Sequence, residues 1–164
     1  MPSPSPEPGG IVVRTATPDD AGVLVDLLAA GALVTSGEDP VDLAPYRAAL
    51  ADIADTSGTD VLVAERDGEV VGTCQLITFR HLQHHGGRCA EIESMHVRPD
   101  VRGNGVGGVL LEAATAAARA AGCYRIQLTS NAVRTDAHRF YRRHGFDPSH
   151  VGFKRLLDPP VEET

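Results

Sequence analysis

Apolar positions change their period several times along the chain, and each change marks a predicted element. Residues 11–16 are short and β-branched, which predicts a strand. Thr17 followed by Pro18 pairs an N-cap with a first-turn proline, so a helix is predicted from there to Ala30. Leu24, Leu27 and Leu28 fall on one face of it, and Gly31 is its stop. A second helix fits residues 41–55. Residues 61–64 and 70–79 read as strands joined by Asp67-Gly68, a hairpin dipeptide. Gly86-Gly87 marks another turn and residues 88–97 another strand. Residues 104–121 are alanine-rich, with Val106, Leu110, Ala113 and Ala117 at helical spacing and Gly122 at the end. Residues 125–129 form a strand. Thr135 or Asp136 caps a short helix to His144 that Gly145 stops, and residues 146–157 supply the last strands. The order is β-α-α-β-β-β-α-β-α-β. Hairpins come early and one crossover comes late, which implies a mostly antiparallel sheet with one parallel pair.

Composition narrows the class. The 164 residues are one domain's worth, with 42% hydrophobic and 23% charged side chains. Tryptophan is absent and aromatics are 4%, so the core rests on Val, Leu, Ile and Ala. Residues 1–10 (MPSPSPEPGG) hold four prolines and have neither a basic start nor an apolar stretch. They read as a disordered leader and not as a secretory signal, and residues 158–164 as a flexible tail. Residues 11–157 are then one domain. No stretch has the apolar length of a membrane span. Cys74, Cys89 and Cys123 lack metal-ligand spacing and read as reduced thiols of a cytoplasmic protein, with Cys89 a small buried strand residue.

The net charge of −7 argues against binding nucleic acid through bulk basicity. Residues 1–79 hold 3 basic and 13 acidic side chains, and residues 80–164 hold 12 and 9. A small anionic partner finds its field in the second half.

The segment Arg102-Gly103-Asn104-Gly105-Val106-Gly107-Gly108 sits between a strand and a long helix. Glycines there let backbone approach a ligand, and a helix start offers N–H groups and a favourable dipole to phosphate. Gly103, Gly105 and Gly108 satisfy the dinucleotide fingerprint G-x-G-x-x-G, but three features oppose that reading. Residues 98–102 intervene after the strand, a hairpin-rich half precedes it, and Thr129-Ser130-Asn131 stands where an acidic residue is expected. No Lys-Ser/Thr follows the glycines, which excludes a nucleotide P-loop.

Residues 97–107 (VRPDVRGNGVG) resemble the R/Q-x-x-G-x-G/A motif of the GNAT superfamily of N-acetyltransferases, met by Arg102, Gly105 and Gly107. A second block, residues 137–146 (AHRFYRRHGF), resembles that family's A-x-x-F/L-Y-x-x-x-G-F element. Leu128-Thr129-Ser130-Asn131, residues 136–141 and Ser149-His150 are similar to the aminoalkylphosphonate N-acetyltransferases. The resemblance implies an α/β (α+β) fold: a mixed, mostly antiparallel sheet of six to seven strands, helices on both faces, and a splayed parallel pair. It implies acetyl-CoA as cosubstrate and a small-molecule amine as acceptor, with neither nucleic acid nor membrane as partner. Homodimers are common in the family.

The resemblance also assigns roles. Backbone groups of Met95, His96 and Val97 would hold the acetyl and pantetheine arm, with the Met95 N–H facing the developing oxyanion. Gly103, Asn104, Gly105, Val106, Gly107 and Gly108 would hold the pyrophosphate, assisted by Arg102. Asn131 would bond the pantetheine arm, with Asp136 and His138 near the cofactor. Tyr141 matches the family tyrosine that protonates the departing thiolate; a phenol with a reference pKa near 10 keeps its proton at neutral pH. Glu91 and Glu93 alternate with Ala90 and Ile92 and share a face of a regular strand. Glu91 aligns with the acid of the aminoalkylphosphonate enzymes and Glu93 with that of other members. Either serves as base, Glu91 being favoured, and a bulge is expected between them and Met95. His81, His84 and His85 read as a solvated loop, and Glu38, Asp39 and Asp42 as an acidic surface in the region that shapes the acceptor pocket in this family. Two alternatives stay open: a CoA-binding regulatory module with weak catalysis, and a peptide or protein amine as acceptor.

Overall fold

The computed structural model describes residues 9–33, 37–155 and 157. The expected leader, up to residue 8, and the expected tail lie outside the described residues. The chain forms two compact units, one ending at Leu128 and one beginning at Thr129.

The first unit is a five-stranded sheet in the order β1-β2-β3-β4-β5. Its strands are β1 (Ile11–Thr15), β2 (Thr59–Arg66), β3 (Glu69–Arg80), β4 (Arg88–Val97) and β5 (Cys123–Leu128). The first four pair antiparallel and β4 pairs parallel with β5. Helices α1 (Ala21–Gly31) and α2 (Ala44–Asp55) precede β2; a left-handed helical turn, α3 (Gln83–Gly86), joins β3 to β4; and α4 (Val106–Ala120) makes the crossover to β5. The β2–β3 hairpin turns at Asp67 (φ 52) and Gly68 (φ 81), the left-handed pair that a tight hairpin needs.

Thr17 and Pro18 open a 3-10 turn (Pro18–Asp20) that leads into α1. One carboxylate oxygen of Asp20 accepts the Thr17 backbone N–H at 2.7 Å and the hydroxyl at 3.1 Å. Arg14 of β1 donates to both Asp20 oxygens at 2.8 and 2.9 Å and to Glu65 of β2 at 2.9 Å. Only 8% of Asp20 is exposed, and the Arg14 hydrogen bonds hold its carboxyl down at about 2. The cluster ties the start of α1 to the first two strands.

Alternation along β3 sorts the two sheet faces. Thr73 and Gln75 face the side covered by α1 and α2, where Leu24, Leu27, Leu50, Val63 and Val70 form a core cluster. A Cβ on Gly72 would lie 3.2 Å from Val106, so the other face meets α4. There α4 buries Val106, Leu110, Leu111, Ala114 and Ala118. Full burial of Leu110 and Leu111 contributes roughly 1.5–3 kcal/mol each.

Three expectations about the sheet and α4 need correction. The sheet has five strands and not six to seven. Among the described residues of 146–157 no strand forms. Pro148 has no N–H for a ladder, Ser149 folds back onto the Asp147 carbonyl at 2.8 Å, and Val151 and Phe153 stay exposed. The buried stripe of α4 is Val106-Leu110-Leu111-Ala114-Ala118, and Ala117 is exposed.

The second unit holds α5 (Thr135–Arg143). Its N-cap is Arg134 and neither Thr135 nor Asp136, because Arg134 leaves the helical backbone region while Thr135 is already helical. Gly145, at φ 84, follows its end.

Candidate active site

The Glu91–Glu93 pair lies on β4, and the Arg102–Gly108 turn follows the end of that strand. Pairing of β3 with β4 shifts register between Thr73↔His96 and Gln75↔Glu93, so Ser94 and Met95 together oppose Cys74. This is a β-bulge, and Ser94 takes φ 49 to make it. It lies where a bulge was expected, between the two glutamates and Met95. Pairing with β5 ends at Ile92↔Leu128, while β4 runs on to Val97 along β3. The parallel pair therefore diverges at the bulge.

Glu91 and Glu93 do share a face. Glu91 pairs with Ile77 and Glu93 with Gln75, on the α1–α2 side, while Ile92 between them is buried on the α4 side. Glu91 is half-buried and accepts a 3.2 Å hydrogen bond from Gln127 of β5; Glu93 is exposed. Gln127 was missed in the sequence. Its parallel pairing with Glu91 places both side chains on one face, and only the folded sheet provides that pairing.

Beyond the bulge, the His96 ring lies against Gly31 at the end of α1. A Cβ there would sit 1.9 Å from the imidazole Nδ1. Val97 leads into a 3-10 turn (Pro99–Val101), and Arg102 donates from Nε back to the Val97 carbonyl at 3.0 Å. Gly103 and Gly105 both take φ 83, and among the described residues no atom beyond their chain neighbours lies within 4 Å of where their Cβ atoms would be. Gly105 is the N-cap of α4, whose first bond runs from the Val109 N–H to the Gly105 carbonyl. Gly103, Asn104 and Gly105 are exposed and Gly107 and Gly108 are half-buried, so the turn presents backbone N–H groups around a helix start. That surface, with an arginine beside it, can take a phosphate group.

The same face of the sheet borders a cavity of about 150 Å³ between α1, α2 and the strands. Ser94 of the bulge, Gln75 and Thr73 form its polar side. The Thr73 hydroxyl is engaged with the Leu62 carbonyl at 2.9 Å. Tyr46 lines the cavity, and its hydroxyl donates to Glu38 at 2.8 Å and accepts the Asp39 N–H at 2.9 Å. The acidic residues around 38–42 are thus anchored to a cavity residue. Tyr46, Ala49, Leu50 and Ile53 follow the i, i+3, i+4, i+7 spacing of one helix face, a signal present in the sequence.

In the second unit, the Asn131 side chain accepts the Val133 N–H at 3.1 Å and its carbonyl bonds the His138 ring at 3.0 Å. Asp136 pairs with Arg139 on the surface of α5. The Tyr141 ring is half-buried in an edge-to-face stack with Phe140 and Phe146.

The histidines do not converge. His84 and His85 sit in left-handed backbone on the exposed turn α3, and His84 stacks on Tyr124 at 4.2 Å. Cys74 and Cys89 are fully buried, and burial pushes the Cys74 thiol up to about 12.

Comparison with known proteins agrees with this geometry. Residues 28–146 match the family model for the acetyltransferase (GNAT) family. The aminoalkylphosphonate N-acetyltransferase of Salmonella typhimurium is 43% identical over 95 residues, 58% of this chain and 61% of that protein. The aminoglycoside N(6')-acetyltransferase type 1 of Stenotrophomonas maltophilia is 32% identical over 90% of this chain and 94% of its own length. A solved structure described as a transcriptional regulator from Bacillus halodurans C-125 superposes with a TM-score of 0.85 at 32% identity, covering 90% of this chain and all of that one. The bulged fourth strand, the glycine turn at the start of α4 and these matches together place the chain in the acetyltransferase (GNAT) family, as an acyltransferase.

Proposed function

We propose that this protein transfers an acetyl group from acetyl-CoA to a primary amine of a small molecule by direct attack. The observation that carries the reading is the succession of the β4 bulge and the Gly103–Gly108 turn, two open glycines of φ 83 at a helix N-terminus one 3-10 turn beyond a diverging strand. That surface fits a pyrophosphate, and Arg102 adds a cation beside it. Gly103, Asn104, Gly105, Val106, Gly107 and Gly108 would take the pyrophosphate, and backbone groups of Met95, His96 and Val97 the acyl arm. The amine would reach the reacting end from the cavity beside Ser94, on the face that carries Glu91 and Glu93.

Attack requires a neutral amine, a donor to the oxyanion and an acid for the leaving thiolate. The Met95 N–H is the proposed oxyanion donor, since the bulge at Ser94 turns the peptide groups of that segment. Glu91 or Glu93 would accept the amine proton directly or through water. The Gln127 hydrogen bond orients Glu91, whereas exposed Glu93 keeps access to solvent. Tyr141 would return a proton to the thiolate, and Asn131 would bond the pantetheine arm, with Asp136 and His138 near the cofactor; these four roles rest on the family resemblance.

Calorimetric titration with acetyl-CoA, with NAD and NADH as controls, tests the reading. Saturable binding of acetyl-CoA alone is expected. A folded sample that binds no acetyl-CoA overturns it.

A further inference from the structure

The chemistry of the cavity beside the bulge goes further than its position. Its walls are Leu24 and Leu28 of α1, Leu50 and Ile53 of α2, Val61 of β2 and the ring of Tyr46. Among the described residues no charged side chain lines it. With the Thr73 hydroxyl committed to Leu62, Gln75 and Ser94 are left as its polar end. Gln75 stands directly opposite Glu93 across the strands, so that end is where a carboxylate approaches. The cavity is therefore polar towards β4 and apolar towards the helices. Its volume, about 150 Å³, suits a group of roughly one benzene ring.

Resting on the acetyltransferase reading above, we infer that the acceptor is a primary amine carrying a compact apolar group, an aryl or branched alkyl group of about one ring, joined through a short spacer. The apolar group fills the space between α1 and α2, and the nitrogen lies at Gln75 and Ser94. Partial removal from water favours the neutral amine, the form that attacks. A phosphonate in that space would find no cation in its lining and would face the acidic Glu38–Tyr46 rim. A polyhydroxylated, polycationic acceptor would leave its hydroxyl groups against leucine and isoleucine and would exceed the volume. This acceptor class departs from those named for the two curated relatives.

The test compares 2-phenylethylamine, 2-aminoethylphosphonate and kanamycin with the full chain and acetyl-CoA. The expected result is a kcat/KM for 2-phenylethylamine at least about tenfold above either alternative, since burying a ring is worth more than the roughly 1.4 kcal/mol that tenfold represents. Ala49 lines the cavity from an exposed position on α2, so Ala49→Trp adds bulk there without displacing a buried side chain. It should cut 2-phenylethylamine turnover about tenfold and leave acetyl-CoA affinity unchanged. A second readout needs no turnover: on titration with 2-phenylethylamine, the methyl NMR signals of Leu24, Leu28, Leu50 and Ile53 should shift, and in Ala49→Trp they should not. Equal or faster turnover of a polar acceptor, an unaffected Ala49→Trp, or unmoved methyl signals overturns the inference. Failure to bind acetyl-CoA, or to acetylate any amine, counts instead against the proposed function, and the methyl shifts still judge the cavity.

Discussion

Gly31 offers a sharp test of how α1 is seated on β4. A Cβ at this position would lie 1.9 Å from His96 Nδ1, 2.4 Å from Cε1 and 3.1 Å from Cγ. Turning the ring about its own axis does not relieve the contact at Cγ, so the side chain must change rotamer or the helix must move. Overpacking of this kind costs about 1–3 kcal/mol. Alanine also returns up to about 1 kcal/mol of helix propensity, because residue 31 is the last of α1. Gly31→Ala should therefore destabilise by roughly 1–2 kcal/mol. In a His96→Ala background the obstacle is gone, and the same change should stabilise by up to about 1 kcal/mol. Urea denaturation of the four proteins closes the cycle, with an expected coupling of about 1–3 kcal/mol. Stabilisation of the parent protein by Gly31→Ala, or an equal effect in both backgrounds, would refute the contact between residue 31 and the His96 ring.

Other predictions concern chemistry, pH and backbone. Tyr141→Phe should lower turnover strongly while acetyl-CoA affinity measured by calorimetry stays close to wild type; undiminished turnover removes Tyr141 as the acid. Asp20 has its folded-state carboxyl lowered from 3.8 to about 2, chiefly by the Arg14 hydrogen bonds. A lowered folded value means the stabilisation, up to about 2 kcal/mol, is complete above about pH 4 and is lost as pH falls towards 2. Stability curves of wild type and Asp20→Asn should accordingly converge over that window, and parallel curves would count against the Arg14–Asp20 link. Gly105→Ala meets no neighbouring atom but must hold φ 83, so it should cost about 1–2 kcal/mol and weaken acetyl-CoA binding. Unchanged stability in urea would show that the helix start does not need that backbone.

Strands and helices were legible wherever a local rule sufficed. The Arg88–Val97 strand emerged with its observed ends because glycines bound it on one side and a proline on the other. Thr17-Pro18 and Asp67-Gly68 act through their own backbone preferences, so their turns needed no tertiary information. The alanine-rich α4 was different: period alone suggested Ala113 and Ala117, whereas packing selected Leu111, Ala114 and Ala118. Methyl groups around a helix give nearly equal transfer energies, so the larger leucine pair decides which side turns inward once a sheet is present. The described residues of 146–157 showed the reverse failure, because β-branched and aromatic residues there make no strand where Pro148 and the Ser149 turn interrupt the ladder.

By itself, the sequence determined the order of the five strands and the longer helices as far as α5, the glycine turn and the pairing of two carboxylates on one strand face, because each follows from spacing within a single segment. Tertiary structure alone decided the register shift that places Ser94 and Met95 opposite Cys74, the Gln127–Glu91 hydrogen bond, and the apolar cavity with its polar end at Gln75 and Ser94. Those features depend on which residues stand opposite one another across separate strands and helices, and no spacing along one segment encodes that.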